Sequence, residues 1–210
     1  MKILVVKYLP NGEKSNTKIL LDHFKSIVNT HQIEELDLLE NQPPIFNELS
    51  LQAYALRNYM GQKLTEAQQQ AIEPFDKLVA QLVACDILII ATPMHNYSFP
   101  GIVKTYFDAV MLHNETFRMG GPQDNGKKYV GLLTNRKALT IFTSGGFYPE
   151  DSEFYYLNNI ATLSKIAYNM VGFEDFKTVY AATANPETLH NNMEKAQKEL
   201  EQIAASWKLN

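Results

Sequence analysis

Three short segments of this 210-residue chain carry residue types suited to chemistry. The first is Ser15-Asn16-Thr17, which follows the chain break at Pro10-Asn11-Gly12. Hydroxyls running into a helix start can cap that helix. Together with the free N–H groups and the helix dipole, they can also hold one phosphate. Both readings stand for Ser15 and Thr17. Gly12 is the only glycine in the first 60 residues, which excludes a G-x-G-x-x-G fingerprint and a Walker A loop. The second segment is Pro93-Met94-His95-Asn96-Tyr97-Ser98-Phe99-Pro100. Met, Tyr and Phe normally seek burial, so a loop rich in them suits either a flat aromatic ligand or a partner surface. The third is Thr143-Ser144-Gly145-Gly146-Phe147-Tyr148. Paired glycines allow close backbone approach or positive φ, and also serve ordinary turns.

Other chemistries are set aside. The histidines at 23, 31, 95, 113 and 190 form no H-E-x-x-H zinc helix, and no metal site is expected. G-x-S-x-G is absent, which removes the nucleophile elbow. Cys85 has no C-x-x-C partner and reads as a small core residue. Glu34-Glu35 and Glu73 to Asp76 read as solvated faces. The net charge of −4 leaves no electrostatic footprint for nucleic acid. A single cysteine fits a reducing cytosol. No apolar run approaches a membrane span, and the apolar start Ile3-Leu4-Val5-Val6 is too short for a signal peptide.

The elements that must position these loops alternate between strand and helix. Strands are expected at Ile3 to Val6, Ile33 to Leu39, Ile87 to Ala91, Ala138 to Phe142 and Phe176 to Ala182. A helix carrying Ile19, Leu20, Phe24, Ile27 and Val28 follows Ser15. Thr65 and Gln68 form a capping box for a helix reaching about Ala84, which Pro74 should kink or split. Pro100 suits the first turn of a helix with Val103, Tyr106, Phe107, Val110 and Met111 on one face. Another helix is expected from about Glu153 to Val171. Leu189, Met193, Ala196, Leu200, Ile203 and Trp207 make one apolar stripe on the last helix. Residues 40 to 64 read as an insertion, broken at Pro43-Pro44 and with a short helix between Leu49 and Met60. Residues 114 to 136 read as a long loop or small hairpin. The pattern predicts one α/β domain: a doubly wound, five-stranded parallel sheet of order 2-1-3-4-5 with helices on both faces. Ligands of such sheets sit at the carboxyl ends of the strands, beside the topological switch point, where the three loops fall.

At these loops the chain resembles the FMN-dependent NADH-azoreductase family, which is flavodoxin-like and includes NAD(P)H:quinone oxidoreductases. Pro93-Met94-His95-Asn96-Tyr97 is similar to the family's P-M-Y-N-F loop, Ser15-Asn16-Thr17 to its S-x-S loop, and Thr143-Ser144-Gly145-Gly146 to its S-R-G-G loop. Thr116-Phe117-Arg118, Gly121-Pro122 and Gly126-Lys127-Lys128 resemble its T-F-R…G-P…G-K-K stretch. The chain departs from the pattern at Tyr8, His95 and Ser144, where members have Ser, Tyr and Arg.

The resemblance implies a homodimer with one FMN per subunit, the flavin lying at the subunit interface; the lone cysteine adds the expectation of a cytoplasmic location. Hydride comes from NADH or NADPH, and electrons pass to a quinone or azo compound in a ping-pong cycle. It assigns cofactor binding to Ser15, Asn16, Thr17, Pro93, Met94, His95, Asn96, Tyr97, Thr143, Ser144, Gly145, Gly146 and Tyr148. It places Phe117 and Met119 at the substrate and requires no catalytic side chain, although His95 or Tyr148 could supply a proton. The helix bearing Val103, Phe107 and Met111, with the Phe117 loop, is expected to carry apolar surface for the dimer. A flavodoxin-type electron carrier is the alternative, and a flavin-free hydrolase on the same fold is another. The modest charge and the apolar set Met94, Tyr97, Phe99 and Phe117 favour the enzyme.

Overall fold

A computed structural model describes residues 1–209. β1 (Lys2–Lys7) leads into α1 (Asn16–Ile27) and β2 (Gln32–Asp37). α2 (Glu48–Tyr54), a π-helical turn (Ala55–Tyr59) and α3 (Glu66–Ala84) precede β3 (Ile87–Pro93) and α4 (Gly101–Val110). A hairpin of β4 (Phe117–Met119) and β5 (Tyr129–Gly131) follows. β6 (Lys137–Ser144), α5 (Asn159–Val171), β7 (Asp175–Ala182) and α6 (Pro186–Ser206) complete the chain.

The main sheet runs β2-β1-β3-β6-β7, every pair parallel. With the hairpin strands set aside, that is the expected order 2-1-3-4-5. The central strands are buried on both faces: Ile3, Leu4, Val5, Ile87, Ile89, Ile90 and Ile141 are at most 1% exposed. Fully burying one such side chain contributes about 1.5–3 kcal/mol. One face is covered by α1 and α6, whose Leu20, Phe24, Leu200 and Trp207 pack on Ile3, Val5 and Ile89. The other is covered by α3, α4 and α5, with Phe75, Val79, Tyr106 and Tyr168 packed around Leu4, Val6 and Ile90.

Local chemistry explains the boundaries. Ser15 caps α1 by accepting from the Lys18 N–H. The Thr65–Gln68 capping box forms as expected. Pro74 does not split α3, which runs unbroken for 19 residues. The proline lies on the exposed side, so the carbonyl it orphans can face water, while buried Ile72, Phe75, Val79 and Leu82 hold the helix. α5 starts later than expected, because residues 152–157 form tight turns and Asn158 caps the helix through the Ala161 N–H. Cys85 is buried and its Sγ donates to the Leu82 carbonyl; burial pushes its thiol up to about 11.

Val103, Phe107 and Phe117 are at most 6% exposed. Their side chains pack largely inside the chain, while Met111 of the same expected face joins Phe107, Leu163, Ile166 and Met170 in lining an apolar groove of about 280 Å³ between α4 and α5. No helix among the described residues is long and apolar enough to cross a membrane.

Candidate functional site

Parallel pairing brings three of the predicted loops to one end of the sheet. β1, β3 and β6 are adjacent and point the same way, so the segments that leave them gather at their carboxyl ends. The switch point falls between β1 and β3, the position where such sheets receive a ligand.

A buried hydrogen bond ties the first segment to the third. Thr17 Oγ1 lies 2.7 Å from Thr143 Oγ1, and Thr17 is fully buried. Either hydroxyl can be the donor of that bond, which fastens the start of α1 to the end of β6. The N–H groups of Asn16 and Thr17 lie in the first helical turn, where no intrahelical acceptor exists. Ser15 is 5% exposed and its oxygen accepts the capping bond from Lys18.

The second segment folds into a tight turn. His95 and Ser98 exchange N–H···O bonds of 3.0 Å in both directions. Asn96 and Tyr97 between them have φ of 46° and 65°, the two positive values that a type I′ turn requires. Asn tolerates this region, whereas Tyr does so at a cost of about 1–3 kcal/mol, and such strain concentrates at functional sites. The Met94 N–H donates to Thr143 O at 2.7 Å, which fastens this turn to β6. Tyr8 and His95, two of the departures from the family pattern, pack edge to face at 5.9 Å.

The third segment is held by Ser144, whose hydroxyl donates to the Gly146 carbonyl at 2.7 Å. The Tyr148 N–H donates to the Tyr180 hydroxyl, whose titration burial pushes upward. Neither Gly145 nor Gly146 has positive φ. Positive φ is therefore not why glycine stands at either position. A Cβ on Gly146 would lie 2.4 Å from the Tyr148 hydroxyl oxygen. Gly145 is exposed and has only Ala184 Cβ near, at 3.9 Å. Tyr97 and Tyr148 meet edge to face at 6.1 Å, closing the second and third segments on each other. Among the described residues, the N–H groups of Asn96, Tyr97, Gly145 and Gly146 find no protein acceptor.

Phe117 and Met119 do not join this cluster. α4 starts at the carboxyl end of β3 and runs back toward the other end of the sheet. There Gly131 of the hairpin packs against Gly172 at the end of α5. A Cβ on Gly131 would fall 2.1 Å from the Gly172 nitrogen. The Leu133 N–H donates to Val171 O nearby. Within one chain, then, the hairpin stands at the end opposite the three loops. Phe117 is 5% exposed, beneath the rings of His113 and Tyr129, whereas Met119 is 48% exposed.

Two features escaped the sequence reading. One is the left-handed Asn96-Tyr97 pair, for which Asn96 in a two-residue turn is a partial signal. The other is a polar clamp around Asn58, which leaves no local pattern.

A model of the flavodoxin-like fold matches residues 1–204. An FMN-dependent NADH:quinone oxidoreductase of Psychromonas ingrahamii is 31% identical over 95% of this chain and 93% of its own length. One from Bacillus anthracis, described by the same activity, is 29% identical over 97% of this chain and 94% of its own length. The crystal structure of a Bacillus anthracis FMN-dependent NADH-azoreductase in complex with FMN superposes with a TM-score of 0.82. It shares 26% identity, covering 97% of this chain and 99% of that one. The match spans both layers of helices and the whole sheet, and the chain belongs to the flavodoxin-like fold family and, within it, to the FMN-dependent NADH:quinone oxidoreductases.

Proposed function

We propose that this protein is a single-domain FMN-dependent oxidoreductase that carries electrons from NADH or NADPH to quinones and azo compounds. The observation that carries the reading is a set of backbone donors without protein acceptors, at Asn96, Tyr97, Gly145 and Gly146, beside a capped helix start. That donor set fits a flavin mononucleotide. One helix N-terminus suits one phosphate, and Ser15, Asn16 and Thr17 would hold it. No glycine fingerprint is present for a second phosphate.

When bound, FMN supplies the two-electron redox chemistry that the protein's side chains lack. The residues of the chain position it. Pro93, Met94, His95 and Tyr97 would pack along the ring, with Tyr148 closing its edge. Asn96, Gly145 and Gly146 would direct N–H groups at the side where negative charge gathers on reduction, as an oxyanion hole does. Thr143 and Ser144 hold these groups in place through Thr17 and the Gly146 carbonyl. Preorganised donors of this kind need no reorganisation during transfer.

The hairpin at the opposite end supports a homodimer. Phe117 and Met119 reach a flavin only if the arm of one subunit extends to the loops of the other. The groove between α4 and α5 offers apolar surface for such an interface. Placement in the cytosol agrees with a lone, buried thiol.

Heat release and chromatography should identify FMN in the reconstituted protein; FAD, or no flavin, would overturn the reading. Steady-state kinetics with NADH and a quinone should give parallel double-reciprocal lines, with quinones better acceptors than azo dyes. Intersecting lines would show a ternary complex instead.

A further inference from the structure

The insertion at residues 40–64 is joined to the turn that opens the hairpin arm by a buried clamp centred on Asn58. Asn58 lies in the π-helical turn and is 5% exposed. Its Nδ2 donates to the His113 carbonyl at 2.7 Å and to the Glu115 carboxylate at 3.2 Å. Its Oδ1 accepts from Arg57 Nε at 2.9 Å. Its backbone carbonyl accepts from Asn114 Nδ2 at 2.8 Å and lies 3.0 Å from His113 Nδ1. Both ends of the clamp are anchored. The Arg57 guanidinium grips Asp76 of α3 through bonds of 2.7 and 2.8 Å. On the other side, the His113 ring meets Phe117 edge-on at 5.9 Å.

A buried amide with all its donors and acceptors engaged specifies one geometry; an apolar residue would fill the space without doing so. π-Helical turns are frequent at functional sites. We propose that Asn58 is a positioning residue, fixing the Phe117–Met119 arm against α3 and thereby setting the fit of the electron acceptor. The acceptor half of this statement rests on the reading of the arm as part of a partner subunit's site.

The test uses the FMN-loaded protein with Asn58→Asp, which keeps shape and acceptor but loses the donor to His113 and Glu115. Asn114→Gly is the second variant. It removes the Asn114 side-chain bond to the Asn58 carbonyl, and glycine accepts the φ of 63° at that position. Both should raise hydrogen–deuterium exchange across 113–119 and leave the Gly145 loop unchanged. Both should lower kcat/KM for a two-ring quinone about tenfold, a change equivalent to about 1.4 kcal/mol, with FMN affinity unchanged. Unaltered exchange at 113–119 would overturn the clamp. Raised exchange with unchanged quinone kinetics would overturn its role in acceptor fit. A loss of FMN with normal turnover per bound flavin would reduce Asn58 to a structural part. Wild-type holoprotein that reduces no quinone would overturn the underlying functional reading, and the acceptor role with it.

Discussion

Gly145→Ala separates the demands of the protein from those of the ligand. The nearest protein atom to a Cβ at Gly145 is Ala184 Cβ at 3.9 Å, an ordinary contact, and φ lies outside the left-handed region. In the flavin-free protein the substitution meets no obstacle. Fewer unfolded conformations should stabilise that form by about 0.4–1 kcal/mol. If the flavin ring packs on this backbone, the added methyl overfills a fitted space, which costs about 1–3 kcal/mol. The FMN dissociation constant should therefore rise between about fivefold and about 150-fold. Gly146→Ala is a less clean probe, because its Cβ would lie 2.4 Å from the Tyr148 hydroxyl and disturb the loop without any ligand. Thermal unfolding of the flavin-free protein and quenching of FMN fluorescence measure the two effects separately. Thr134→Val, exposed at the far end of β6, is the control and should bind FMN as wild type. A Gly145→Ala protein with undiminished FMN affinity would refute the placement of the flavin against this loop.

Ser15→Ala should cost about 1 kcal/mol in stability through loss of the helix cap. It should weaken FMN about tenfold or more but leave riboflavin binding unchanged, since the bond lost is to the phosphate; equal loss for both ligands would move the phosphate elsewhere. Burial pushes the Cys85 thiol up to about 11, so it should resist thiol reagents at neutral pH until the protein unfolds. Because the folded form retains this proton longer than the unfolded chain, Cys85 stabilises the fold less as pH rises from about 8.5 toward 11. Cys85→Ala should flatten that part of the stability–pH curve, and an unchanged slope would contradict the assignment. Light scattering of the active protein should give about twice the 23.9 kDa chain mass, and an active monomer would remove the interfacial site.

The sheet was readable from sequence because its strands are short, apolar on both faces and separated by capped helices. Ile3 to Val6 and Ile87 to Ala91 mark their own burial, and tertiary pairing extended each by a residue or two. Of the kink or split expected at Pro74, the split does not occur, because propensity does not register which side of a helix faces water. The gathering of the three loops at one end of the sheet was legible from the strand order and the switch-point rule. Their internal wiring was not. The Thr17–Thr143 bond joins residues 126 positions apart, and no local pattern announces it. Phe117 carried a family motif, but its placement at the opposite end of the sheet follows only from the course of α4. Glycine at 146 lies outside the left-handed region and beside the tip of the Tyr148 side chain, neither of which the paired-glycine pattern specifies.

On the proposed reading, three loops at one sheet end hold an FMN that exchanges electrons with nicotinamide and quinone. The most direct test is an anaerobic titration of the FMN-loaded protein with NADH and then NADPH, followed by addition of a quinone. The yellow flavin absorbance should bleach with one equivalent of at least one of the two nicotinamides and return in full when the quinone is added. A loaded protein whose absorbance is unmoved by either nicotinamide, or which bleaches but is not reoxidised by quinone, would contradict it.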